Sequence, residues 1–358
     1  MKPGSIDNKK KIRNFWVRTA VFAVLAAAVL AYTAYVLTPK YDYGICSMMN
    51  LYQQPADSID VLALGTSQTY GGLNTNILWK EYGIAAYNLA TAEQAYWVGY
   101  YYLIEALKTQ HPKLLLLDTK ASSYPNDTNR HGRVILGTYG ILSLPERAAA
   151  IRECTGGEHV LSYLAAFPEI HSNYSELSAD SFSIPPTNGG RGNTWKGYIE
   201  QDETEKHERP SLVWTSTKMA VNEHEMEYFR KILELCREKQ IPVMLVSYPY
   251  PDYANDHMYV NGLFKAAEEY GVSGINYNHP DLRFGLRYSS DFADWQHLNL
   301  KGSANFSRKL ASDILSRYDI PDRRGDDDYA SYEECAARWF EQYPEYAAEE
   351  DTADIRHS

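Results

Sequence analysis

The sequence predicts an α/β protein: a three-layer sandwich around a mostly parallel sheet, with an inserted subdomain and an N-terminal transmembrane helix. Three observations carry that reading. Short apolar runs alternate with stretches of helical apolar spacing, the pattern of strands joined by covering helices. One long stretch, 120–216, breaks the alternation. An apolar run near the N-terminus sits behind a cluster of basic residues.

The first 18 residues are a basic segment containing Lys9, Lys10, Lys11 and Arg13. The run from Thr19 to Leu37 reaches about 28 Å as a helix, enough for a bilayer core. Trp16, Tyr32 and Tyr35 suit the two interfaces, and Pro39 closes the segment. A cleaved signal peptide is the rival reading. The run is long for one and Ala26-Ala27-Ala28 lies in its middle, so an uncleaved anchor is expected. The basic flank stays cytoplasmic by the charge rule, which puts residues from about Lys40 onward outside.

The α/β domain is expected over 58–318. Ser58 to Gly65 reads as a strand buried on both faces. Asn74 to Trp79 is a short helical turn and Ile84 to Leu89 a second strand. Gln94 to Lys108 places Trp97, Tyr101, Ile104 and Leu107 at helical spacing. Lys113 to Asp118, with four leucines in a row, is the third strand. The insertion 120–216 is too long for a bare loop, with Leu144–Arg152 and Val160–Phe167 as its helical candidates. Glu223 to Lys239 is amphipathic, through Met226, Phe229, Ile232 and Leu235. Pro242 to Ser247 is the fourth strand, Tyr259 to Tyr270 a helix, Gly274 to Tyr277 a short fifth strand, and Lys301 to Tyr318 the last helix. From Asp322 an acidic tail, 322–358, is expected to be solvated and partly helical, with Arg338-Trp339-Phe340 able to dock.

The formal net charge is −11 and no basic stripe with interleaved aromatics occurs, so nucleic acid is excluded as a partner. Cys46, Cys154, Cys236 and Cys335 show no CxxC spacing, which makes a structural zinc site improbable. An outward location permits disulfides, but sequence does not pair these four. Cys236 falls in an apolar helical pattern and reads as a core thiol. Trp195, Tyr198 and Trp214 either line a glycan site or form the core of the insertion, and core is the expectation. The Tyr248-Pro249-Tyr250-Pro251-Asp252 turn is a wall of the site or merely rigid.

The chemistry lies in two fragments. Gly65-Thr66-Ser67 closes the first strand, and Asp294-Trp295-Gln296-His297 precedes the last helix. A hydroxyl nucleophile needs a base, and the base needs a group that fixes its tautomer. Ser67, His297 and Asp294 supply those roles. A parallel sheet gathers sites at the carboxyl ends of its strands, where Ser67 falls.

These residues resemble the SGNH (GDSL-like) hydrolase superfamily, in its membrane-anchored extracytoplasmic branch. The chain is more distantly similar to DltD-type proteins of D-alanyl-lipoteichoic acid biosynthesis and to polysaccharide O-acetylation proteins. The resemblance runs through Asp60–Tyr70, Tyr82–Leu89, Ile241–Val246 and Asp294–Gly302, covering roughly 58–120 and 222–318. It implies a flavodoxin-like sandwich, Ser67 as nucleophile, His297 as base and Asp294 as orienting partner, with no cofactor or metal. The family's oxyanion hole draws on the Ser N–H, a Gly N–H and an Asn side chain. Here the second block continues Ala90-Thr91-Ala92-Glu93-Gln94, without Gly, and the third reads Asp118-Thr119-Lys120, without Asn. Oxyanion candidates are therefore Ser67, Thr91, Glu93 and Gln94, with Lys120 as a further donor and Asn126 within reach in sequence. A Glu93 carboxylate close by would oppose developing negative charge.

The resemblance implies an esterase or O-acyltransferase acting on an acylated glycan or other cell-envelope polymer, held by its N-terminal helix and working with a membrane-bound acyl-transfer partner. The alternative is a non-catalytic envelope protein that keeps the fold and binds polymer or assists acyl transfer.

Overall fold

A computed structural model describes residues 4–38, 45–124, 131–183, 195–210, 214–251, 253, 256–282 and 284–347. Helix α1 (Gly4–Leu37) is followed by α2 (Ile45–Leu51), β1 (Val61–Gly65), α3 (Ser67–Gly72), α4 (Thr75–Tyr82) and β2 (Ala86–Ala90). Next come α5 (Tyr96–Ala106), β3 (Leu114–Asp118), α6 (His131–Thr138), α7 (Leu144–Thr155), α8 (Val160–Ala165) and α9 (Phe167–Ile170). The chain continues through α10 (Glu223–Glu238), β4 (Val243–Ser247), α11 (Asp256–Ala267), β5 (Ser273–Asn276), α12 (Leu300–Leu315) and α13 (Ala330–Gln342).

All five strands are parallel, in the order β2-β1-β3-β4-β5. This is the flavodoxin-like order, and strand order reverses between β1 and β3. Alternate residues of each strand enter opposite layers, as a pleated sheet requires. Leu62, Leu64, Leu115, Leu117 and Leu245 pack under α5, α10 and α11 through Trp97, Phe229, Ile232 and Leu263. Val61, Ala63, Leu114, Leu116 and Met244 pack on the other side against Leu78, Phe306, Leu310 and Ile314 of α4 and α12. The expected three-layer sandwich is present, with strand ends shifted by at most three residues.

Three helices start on an asparagine cap. Asn74 accepts from the amides of Asn76 and Ile77, Asn222 from His224, and Asn299 from Gly302. Helix α1 carries a stretch, Asn8–Leu37, long and apolar enough to cross a membrane.

Two expectations need correction. The supposed insertion does not stand apart as one unit. Residues 195–210 belong to the body: the Asn88 amide donates to Lys196 O at 2.9 Å, covering the edge strand β2. Trp195 and Tyr198 are core, but of the main body, packed with Ile77, Leu300 and Trp339. Trp214 is half-buried between His257 and His279. The described tail, up to 347, docks rather than trailing in solvent. Trp339 is wholly buried, Tyr332 stacks on Trp79 at 5.2 Å, and Arg323 grips Asp60 through two bonds of 2.7 and 3.0 Å. Residues 348–358 of the tail fall outside the described residues. The four cysteines are buried and none forms a disulfide. Burial pushes Cys236 up to about 12.

Candidate active site

The site lies at the reversal of strand order, where β1 and β3 end. Thr66 leaves β1 in extended conformation and caps α3, its Oγ1 accepting from the Gln68 amide at 3.2 Å. Ser67 is therefore the first residue of α3. The end of β3 fixes this turn. Asp118 Oδ2 accepts from the Thr66 amide at 3.0 Å, from Thr66 Oγ1 at 2.6 Å and from Thr69 Oγ1 at 3.3 Å. Its Oδ1 accepts from the Lys120 amide at 2.9 Å. Burial raises the Asp118 carboxyl above its ordinary range, against the bonds from Thr66 and Lys120 that favour the anion.

Gly65 is needed for room. A Cβ there would stand 2.1 Å from Thr69 Oγ1 and 2.4 Å from Asp118 Cβ. The tight turn read from the sequence is thus a close approach of two strand ends.

The second fragment is a closed loop. Phe292 and Leu298 pair across it, and the Ala293 amide donates to His297 O at 2.9 Å. Asn299 Nδ2 fastens its base to Ser290 O at 2.9 Å and Thr204 Oγ1 at 3.0 Å. Within it, Asp294 Oδ1 accepts from the amides of Gln296 and His297 at 2.7 and 2.9 Å. His297 Nδ1 lies 2.9 and 2.8 Å from the two Asp294 oxygens, and Nε2 lies 2.7 Å from Ser67 Oγ. A carboxylate only accepts, so the network assigns the proton to Nδ1 and leaves Nε2 to accept from the Ser67 hydroxyl. Burial works against the Asp294 charge, but the His297 bond, the two amides and the imidazole together outweigh it and hold the carboxyl below its usual range. Gln68 Nε2 donates to Gln296 O at 3.4 Å, tying α3 to this loop. The three residues drawn from opposite ends of the sequence thus meet in one hydrogen-bonded chain.

The oxyanion candidates fare differently. The Ser67 amide makes no hydrogen bond with the described residues. The Thr91 amide donates to Gly65 O at 3.1 Å, and the Gln94 amide to Thr91 O at 3.3 Å. Gln94 Nε2 donates to Leu89 O at 3.3 Å. The backbone amides of Thr91 and Gln94 are thus both engaged within the protein. Lys120 Nζ is held by Asp256 at 2.7 Å and Tyr250 Oη at 3.1 Å. Glu93 is exposed with φ 50°, on the rim of a small hollow that Ala92, Trp97, Val98 and Leu136 also line. Gly65 and Ala90 are the last pair of the β1–β2 ladder, so Ala92 follows β2 at the same sheet end at which Ser67 follows β1. The Ala92 amide has no hydrogen-bond partner among the described residues. Asn126 lies outside them, as does Asp252. Tyr248 and Tyr250 are buried, so that turn is a rigid support.

Sequence reasoning missed two residues. Asp118 was read only as a departure from a pattern, although a carboxylate ending a run of four leucines is a signal in itself. Ala92 carries no side-chain signal. Trp295, between Asp294 and His297, is largely exposed and is the one such tryptophan beyond α1 among the described residues. Its ring meets the buried His207 edge-on at 4.5 Å. Among the described residues no group of three or more His, Cys, Asp or Glu is arranged to hold a metal. No protein-family model and no curated protein matches the chain.

Proposed function

We propose that the chain is an SGNH-type serine enzyme, an ester hydrolase or O-acyltransferase acting outside the membrane on an acylated glycan or related envelope polymer. The observation that carries the reading is the Ser67–His297–Asp294 hydrogen-bonded chain at the reversal of strand order. Ser67 Oγ attacks the ester carbonyl while His297 Nε2 takes its proton, and Asp294 steadies the imidazolium. The amides of Ser67 and Ala92 face the oxyanion. Collapse expels the alcohol, which leaves with the proton from His297, and an acyl-serine remains. Water then gives free acid, or a sugar hydroxyl gives a new ester, with His297 again the base. The exposed face of Trp295 beside the triad suits a sugar ring. The basic cluster before the apolar span of α1 supports an outward-facing domain.

A second reading, a non-catalytic protein that keeps the fold and binds polymer or assists acyl transfer, is favoured by one observation: the backbone amides of Thr91 and Gln94 are engaged within the protein and Lys120 Nζ is paired with Asp256. Intact mass after incubation of the full chain with a fluorophosphonate separates the two. An adduct on wild type that Ser67→Ala and His297→Ala both lose is the expected result. No adduct on folded wild type overturns the enzyme reading.

A further inference from the structure

We infer that residues 142–183 form an apolar collar that seats the domain on the lipid bilayer around the base of α1. Outside α1, all the exposed large apolar side chains except Met219 and Trp295 fall between residues 142 and 182, within the described residues. Leu161 is 82% exposed and Tyr174 71%, and Phe167, Leu177 and Phe182 join them. Such a concentration marks an interaction surface, where scattered single exposures do not.

The position of the collar names its occupant. The end of α1 is buried in it: Ala34, Val36 and Leu37 are covered, and α1 packs on α9 and on the turns 171–176 and 179–182. Asn173 Nδ2 donates to Leu37 O at 3.3 Å, and the Tyr35 hydroxyl to Ser183 O. The apolar stretch Asn8–Leu37 has 30 residues, about 45 Å of helix against a hydrocarbon core of about 30 Å. A span beginning behind the basic cluster reaches the far interface at its last turns. Whatever packs on residues 34–37 then lies at the headgroup level, the depth at which Phe, Tyr and Leu side chains enter the acyl boundary. Phe167, Tyr174 and Phe182 are on the elements that touch α1, and Leu161 is on α8, which packs on α9. The collar's own charge is acidic, through Glu146, Glu153, Glu158, Glu169 and Glu176 against Arg147 and Arg152. Contact is therefore apolar rather than electrostatic, and a zwitterionic surface suffices. This inference rests on α1 spanning a bilayer and is independent of the catalytic reading.

The test uses the full chain in phosphatidylcholine vesicles, with an environment-sensitive fluorophore on single introduced cysteines. Leu161→Cys, Phe167→Cys and Tyr174→Cys report on the collar. Val24→Cys reports on the span, and Ser312→Cys, exposed on α12 across the sheet, is the water reference. The native thiols are buried, so background labelling is low. Expected are quenching of the three collar labels by lipids brominated near the headgroup and protection from iodide, with the reverse at position 312. Collar labels open to iodide and untouched by brominated lipid, while the Val24 label is quenched, overturn the inference and leave the patch to a protein partner. An unquenched Val24 label overturns the span on which it rests.

Discussion

Asp118 Oδ2 accepts both the amide and the hydroxyl of Thr66, at 3.0 and 2.6 Å, so the end of β3 sets the turn out of β1 from which Ser67 projects at the start of α3. The consequence is testable. Asp118→Asn keeps the shape but turns an NH2 group towards donors that need an acceptor. Leaving a buried donor unpaired costs about 1–3 kcal/mol. The expected outcome is a lower thermal midpoint together with slower fluorophosphonate labelling of Ser67. Unchanged labelling at a lowered midpoint would confine Asp118 to stability.

Gly65→Ala attacks the same junction from the other side. The added methyl would stand 2.4 Å from Asp118 Cβ, which is backbone-anchored and has little room to retreat. Overpacking of this kind costs about 1–3 kcal/mol. Both stability and labelling rate are expected to fall, more than for alanine at Gly156, where a Cβ meets nothing within 4 Å but the φ of 62° adds strain.

Asp294→Asn removes the charge that fixes the His297 tautomer. In an analogous triad this loss is about 10⁴-fold in turnover with the geometry intact, and a drop in labelling of that order is expected at neutral pH. Stability gives a second readout. The folded carboxyl titrates below its unfolded value, so its contribution is present above the unfolded pKa and fades as pH falls through the lower folded one. Between wild type and Asp294→Asn, the gap in thermal midpoint should narrow below about pH 4. A gap independent of pH in that window would count against an ionised Asp294 paired with His297.

The strands were legible in the sequence because each rests on a local pattern, and the meeting of Ser67, Asp294 and His297 because two fragments, each weak alone, both fall where a parallel sheet gathers its strand ends. Runs such as Leu114–Leu117 are buried on both faces, and a parallel sheet has one end at which Ser67 and His297 can meet. Which amides of the loop after β2 are engaged was not legible, since no sequence shows this: Thr91 and Ala92 look alike until Gly65 O takes one of them. The tail was misread for another reason. Tyr332, Cys335, Ala336 and Trp339 follow the i, i+3, i+4, i+7 spacing of a buried stripe, but the acidic residues between them dominated the composition.

Lys196 offers a pH response of the same sense in the alkaline range. Burial pulls its ammonium down to about 8, with Gln54 Oε1 at 2.7 Å, Ser331 Oγ at 2.8 Å and the Tyr332 ring below it as partners. The folded state sheds this proton before the unfolded chain does. Between about pH 8 and 10.5 the unfolded chain binds more protons, so this group makes stability rise with pH. Relative to Lys196→Met, wild type is expected to gain up to about 3 kcal/mol across that window. A difference between the two that stays flat from pH 7 to 10 would mean the ammonium is not desolvated.

Trp339 tests whether the docked tail is part of the fold. Its ring is fully buried among Ile77, Trp195, Tyr198 and Leu300, and so joins α4, the 195–210 segment, α12 and α13 in one cluster. Removing a buried tryptophan costs about 3–5 kcal/mol, and the cavity here would open between four pieces of chain. Trp339→Ala is therefore expected to lower the thermal midpoint sharply and to expose residues 195–210 and 330–342 to protease. Glu341→Ala, on the exposed side of the same helix, should leave both readouts unchanged. Equal behaviour of the two variants would return the tail to solvent. The contrast between them also bears on the site, because the Leu300 amide donates to Gln201 O at 2.8 Å just after the His297 loop. A loosened tail should slow labelling of Ser67 through that loop, and a variant that lowers stability without touching the labelling rate would separate the two.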